Sequence, residues 1–155
     1  MRGVARQPQL VVQMAVRSAG LPGPAKLRRW ARAAARGATC VTIRIVGTPE
    51  ARRLNRAYRG KDRATNVLSF CYGERDAVEG DIVLCAPVIR REARRQGKRL
   101  EAHFAHLVVH GVLHLRGYDH GNARGAAKME TLEKRILAKL GYPDPYGESQ
   151  TEESP

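Results

Sequence analysis

Apolar residues recur along the chain in two rhythms, and each change of rhythm marks an element. Over residues 9–16, Leu10, Val12, Met14 and Val16 alternate with more polar neighbours, which predicts a strand. The turn GLPGP follows. Leu27, Trp30, Ala31 and Ala34 then fall at helical spacing and predict a helix over 25–35, with Trp30 as a core anchor. Alternation returns at Val41, Ile43 and Ile45 in a second strand, 39–46. Thr48-Pro49-Glu50 opens the next helix, with Thr48 suited to capping and Ala51, Leu54 and Tyr58 on one side. NVLSFCY and GDIVLC read as a third and a fourth strand. Three helices complete the pattern, over 87–96, 100–115 and 123–140. The last turns Met129, Leu132, Ile136, Leu137 and Leu140 inward and stops at Gly141.

That order predicts an α+β domain with a small mixed sheet of about four strands covered by helices. A single domain over 1–142 accounts for the elements. Residues 143–155 are polar and acidic and are expected to form a disordered tail. No internal repeat and no Gly-rich phosphate loop is visible, so no nucleotide cofactor is expected.

Charge narrows the partner. The 155 residues carry 28 Lys and Arg against 15 Asp and Glu, a formal net charge of +13. A balance this basic points to a polyanion, most often nucleic acid. No run approaches the roughly 20 apolar residues that span a bilayer, and the N-terminal segment lacks a signal-peptide core. Cys40, Cys71 and Cys85 are far apart and form no C-x-x-C pair, as expected of reduced thiols in a cytoplasmic protein.

The chemistry is concentrated in HGVLHLRGYDH, residues 110–120. His110 and His114 lie four apart, so a helix puts both imidazoles on one face, one turn apart. Gly117 lets the chain leave that helix and bring His120 back as a third ligand. Three imidazoles suit one zinc per chain and leave a fourth position for water, the pattern of a catalytic site. His106 shares the stripe, but it is about 12 Å along the axis from His114. His103 and His106 therefore read as packing or supporting residues. The spacing equals that of the zinc proteases with H-E-x-x-H-x-x-G-x-x-H, except that Gly111 replaces the general-base Glu. Glycine cannot take a proton from water, which argues against ordinary proteolysis. Three neutral ligands leave the ion its double charge and favour an anionic electrophile such as a phosphodiester.

HGVLHLRGYDH, NRAYRGKDRATNVLSF, GDIVLCAP and the run METLEKRILAKLGYPDPY together resemble the YbeY family of bacterial endoribonucleases, also called rRNA maturation factors. The resemblance covers about residues 41–146. It implies an α+β fold with a zincin-like metal helix and one zinc held by His110, His114 and His120. It implies a single-strand-specific endoribonuclease acting in 3′-end maturation of 16S ribosomal RNA and in ribosome quality control. Ribosomal RNA and the small ribosomal subunit with its proteins are the implied partners. The family's phosphate-contacting arginine falls on Arg59, in YRGKD. Two departures flank the basic loop: Ala64 and Cys71 stand where the family usually has Pro.

On this reading Arg59 and His114 are catalytic, and Lys61 and Arg63 extend the RNA track. From the residues alone, a surface salt bridge, with Asp62 as a partner, is the favoured reading of Arg59. Asp119 could orient a ligand histidine or cap the turn. The Arg-dense stretch 90–99 is a second basic patch, and Tyr58, Tyr72 and Tyr118 are candidates for base stacking. Two alternatives stand beside the nuclease: a non-enzymatic assembly factor stapled by zinc, and a zinc protease with an unusual base.

Overall fold

The computed structural model describes residues 9–72, 78–119 and 121–147. Its elements run β1 (Gln9–Met14), α1 (Pro24–Ala35), β2 (Thr39–Val46), α2 (Thr48–Arg59), β3 (Val67–Cys71), β4 (Val78–Cys85), α3 (Ala86–Gln96), α4 (Leu100–Leu115) and α5 (Ala123–Leu140). This is an α+β fold. The sheet is mixed, in the order β1-β2-β4-β3, with β1, β2 and β4 parallel and β3 antiparallel to β4.

Alternation along the strands sorts side chains to the two faces. Val41, Ile43, Ile45, Ile82 and Leu84 join one buried cluster with Leu27 and Trp30 of α1, Phe104, Val108 and Val112 of α4, and Met129 and Leu137 of α5. Val46, Val83 and Cys85 face the other way, into a smaller cluster with Ala51 of α2 and Val88 of α3. Burial of the larger cluster is the main stabilising term, at about 25 cal/mol per Å² of apolar surface removed from water. Ile43, Ile45, Ile82 and Leu84 are fully buried at its centre, in the two middle strands.

Two local expectations differ in the structure. The cap of α2 is Gly47, and Thr48 already lies inside the helix, so no side chain caps that end. Residues 143–147, expected to belong to a disordered tail, are held against the domain. Lys98 Nζ donates to the Pro145 carbonyl at 3.0 Å, and the Tyr146 hydroxyl reaches Glu133. A tyrosine that finds a buried acceptor holds its segment down, although the surrounding composition is polar. Residues 148–155 lie outside the described residues.

Candidate metal and phosphate site

Helix α4 is apolar over most of its surface because it runs through the core. His103, His106, His110 and His114 form its polar stripe. The rings of His110 and His114 are 4.8 Å apart between centres, as expected for neighbours one turn apart. The helix stops just beyond them. Gly117 takes φ +99°, its N–H bonds the His114 carbonyl at 2.9 Å, and Tyr118 N–H returns to Leu113 at 3.1 Å. Asp119 Oδ1 then accepts from Gly121 N at 3.0 Å, so Asp119 caps this turn. His120, the third ligand expected from the sequence, lies outside the described residues.

Gly111 has a packing reason. A Cβ built there would sit 3.1 Å from Ile82 Cγ2 and 3.2 Å from Ser69 Oγ. The helix rests so closely on β3 and β4 that any side chain at 111 would press into the sheet. A general-base Glu at this position would have to displace Ile82 or Ser69.

Arg59 comes from a different part of the chain. It ends α2, where a positive charge suits the helix C-terminus, and Gly60 at φ +71° turns the chain away. A cavity of about 230 Å³ is lined by Arg59, Thr65, Asn66, Val67, Ser69, His110 and His114. The wall formed by 65–67 is pinned from both sides. Buried Asn55 donates to the Arg63 carbonyl at 2.9 Å, and Asn66 Nδ2 donates to Glu92 at 3.1 Å. Ala64 packs on the smaller core cluster. The alternative partner of Arg59 is occupied: Asp62 takes a two-pronged bond from Arg52 at 2.7 and 2.9 Å, with Arg56 at 3.8 Å. Lys61 and Arg63 are exposed on the same loop.

Behind the histidines lies a residue that the sequence reading passed over. Glu133, on α5, is 0% exposed. Its Oε2 is 2.6 Å from His110 Nδ1, its Oε1 is 3.0 Å from His106 Nε2, and the Tyr146 hydroxyl also bonds Oε1. Burial opposes its ionisation, but the hydrogen bonds from His106, His110 and Tyr146 prevail and lower its pKa to about 2. The signal was present: Met129, Glu133, Ile136 and Leu137 form one buried stripe, and Glu133 is its charged member. Ligand atoms of His106, His110 and Glu133 all lie within 4.8 Å of one another, close enough to make the trio a candidate metal group among the described residues. His103 is buried beside this group. Its Nε2 lies 2.9 Å from Glu92 Oε1, and burial lowers its pKa although Glu92 pulls the other way.

The remaining candidates stand apart. Tyr58 and Tyr72 are 68% and 64% exposed and line a groove of about 410 Å³ with Phe70. Asp81 accepts from the Tyr72 hydroxyl in that groove and is not near the histidines' cavity. Among the described residues, no helix is long and apolar enough to cross a membrane.

Residues 26–141 match the family described as Endoribonuclease YbeY. The chain is 59% identical over 140 residues to the protein named Endoribonuclease YbeY from Aromatoleum aromaticum, covering 88% of this chain and 91% of that one. It is 53% identical over 137 residues to the protein of the same name from Nitrosomonas eutropha, covering 88% and 97%. Its fold is similar to a Thermotoga maritima protein solved in solution, with a TM-score of 0.50 and 24% identity over 85% of this chain and 91% of that one.

Proposed function

Because this chain belongs to the YbeY family, we propose that it is a metal-dependent endoribonuclease that cuts single-stranded ribosomal RNA, in 3′-end maturation of the 16S molecule and in ribosome quality control. The observation that carries the reading is the shared cavity: Arg59 from α2 meets His110 and His114 from α4 in one pocket. Imidazoles that would hold a cation and a guanidinium that prefers phosphate are brought to the same place by elements about 50 residues apart in the chain.

The donor set fits a zinc ion. His110 and His114 present imidazoles on successive turns at a spacing one ion can bridge, and His120 follows the helix stop in the sequence. His110, His114 and His120 would hold it. Zinc bound there supplies positive charge that polarises a phosphate oxygen and makes a coordinated water acidic. Arg59 binds the scissile phosphate through paired N–H donors and stabilises the charge that grows on it in the transition state. Thr65, Asn66, Val67 and Ser69 line the rest of the cavity. Lys61 and Arg63 hold the neighbouring backbone by charge, without reading sequence. Small ribosomal subunits in the cytoplasm are the setting in which such an RNA is presented.

Gly111 sets this reading apart from proteolysis, since the position of the usual base is closed by Ile82 and Ser69. The test is cleavage of a labelled single-stranded RNA by the purified protein beside Arg59→Ala prepared identically. The wild type should cut, and the variant should retain fold and metal while cutting far less. Equal cutting by both would remove Arg59 from the mechanism. If neither cuts naked RNA or immature small subunits, the chain is an assembly factor.

A further inference from the structure

We propose that Glu133 is a positioning residue that holds His110 and His106 in opposite tautomers, and so selects which histidine of α4 binds the metal. The proposal rests on the assignment of His110 as a metal ligand.

The distances decide between two roles for Glu133. Two donors on one tetrahedral zinc, each ~2.0–2.1 Å from it, lie roughly 3.3 Å apart. Glu133 Oε2 and His110 Nδ1 are 2.6 Å apart, and Glu133 Oε1 and His106 Nε2 are 3.0 Å apart. Those separations belong to atoms that share a proton, not an ion. His106, His110 and Glu133 thus form a hydrogen-bonded trio, although their ligand atoms are close enough to suggest a metal group.

An ionised carboxylate only accepts hydrogen bonds. The ring nitrogens that face it must therefore carry the protons. In neutral His110 the proton is on Nδ1, which leaves the lone pair on Nε2. In neutral His106 the proton is on Nε2, which leaves the lone pair on Nδ1, a buried atom with no hydrogen-bond partner among the described residues. Residues four apart on one helix face are thereby given opposite donor patterns by one buried side chain from α5. His110 gains a ligand nitrogen made more basic by the carboxylate behind it. His106 has its Nε2 committed to Glu133. Tyr146 completes the arrangement, because its hydroxyl also bonds Oε1 and ties the segment after α5 to the same carboxylate.

The first measurement uses the apo protein labelled with ¹⁵N at histidine, where ring-nitrogen chemical shifts report the tautomer directly. His110 should be the Nδ1–H form and His106 the Nε2–H form. An Nε2–H His110 would overturn the proposal without any substitution. The second is zinc affinity by chelator competition for wild type, Glu133→Gln and Glu133→Ala, with circular dichroism as the folding control. Glu133→Ala should weaken zinc by ~10–100-fold and move His110 toward the Nε2–H form. Glu133→Gln can serve only one histidine and should fall between. Unchanged affinity in a folded Glu133→Ala would refute the positioning role. So would a carboxylate oxygen in the first shell by X-ray absorption that vanishes in Glu133→Ala, since Glu133 would then be a ligand. His114→Ala separates the two levels. If it leaves zinc binding intact, the ligand assignment is at fault, while the apo tautomers still test Glu133.

Discussion

The two ends of the α4 histidine stripe make a controlled comparison. His110 and His114 line a polar cavity opposite Arg59. His106 and His103, one and two turns before His110, each meet a carboxylate from another helix, Glu133 and Glu92, and line a separate cavity of about 590 Å³. Residue type, helix and face are the same. The difference lies in what the rest of the fold brings up against each ring. An imidazole nitrogen left to a cavity is placed to bind a ligand, whereas one hydrogen-bonded to a carboxylate has its donor pattern set for it. His110 belongs to both regions, with Glu133 behind it and the cavity in front.

The sharpest way to break this comparison is to truncate one histidine from each end. His114→Ala should abolish tight zinc binding and reduce RNA cleavage to background. His106→Ala should leave bound zinc detectable by metal analysis and lose stability instead. Loss of zinc from both variants alike would erase the distinction.

Arg59→Ala tests the cavity end without touching a histidine. Removing one preorganised donor to developing charge should lower kcat/KM by ~10²–10³-fold, with the melting temperature and zinc content unchanged. A similar loss in Lys61→Ala would mean that the loop acts through its overall charge.

Gly111→Glu would restore the protease spelling between the two ligands. The side chain would be driven against Ile82 and Ser69, and burying a carboxylate there should destabilise the fold by about 3 kcal/mol or more. Urea unfolding measures the loss, and no casein cleavage should appear.

The smallest effect is a pH dependence at the His103 end. Burial lowers the pKa of His103 below its ordinary value of 6.5, against the pull of Glu92. The unfolded chain therefore binds a proton at a higher pH than the folded one does. Stability from this residue is present above about 6.5 and is lost as the pH falls through the window below it. His103→Gln should flatten that limb of the urea midpoint against pH. An unchanged slope would assign the acid sensitivity to another group.

Much of this architecture was legible locally. The bounds of α4 and α5 follow from spacing and from Gly117 and Gly141, because helix periodicity and positive-φ stops are properties of short stretches. The pairing of His110 with His114 follows from the same geometry. Charge and the Gly at 111 pointed toward a phosphodiester and away from a peptide. Tertiary structure decided the rest. Arg59 has Asp62 three residues away, and a salt bridge between them is the favoured local reading, but the loop gives Asp62 to Arg52. Glu133 lies 23 residues from His110, and no local pattern links the two. Tyr146 sat in a segment too polar to be expected to pack. Each of these depends on which faces meet when α2, α4 and α5 close on the sheet, and a local pattern carries no record of distances that only packing sets.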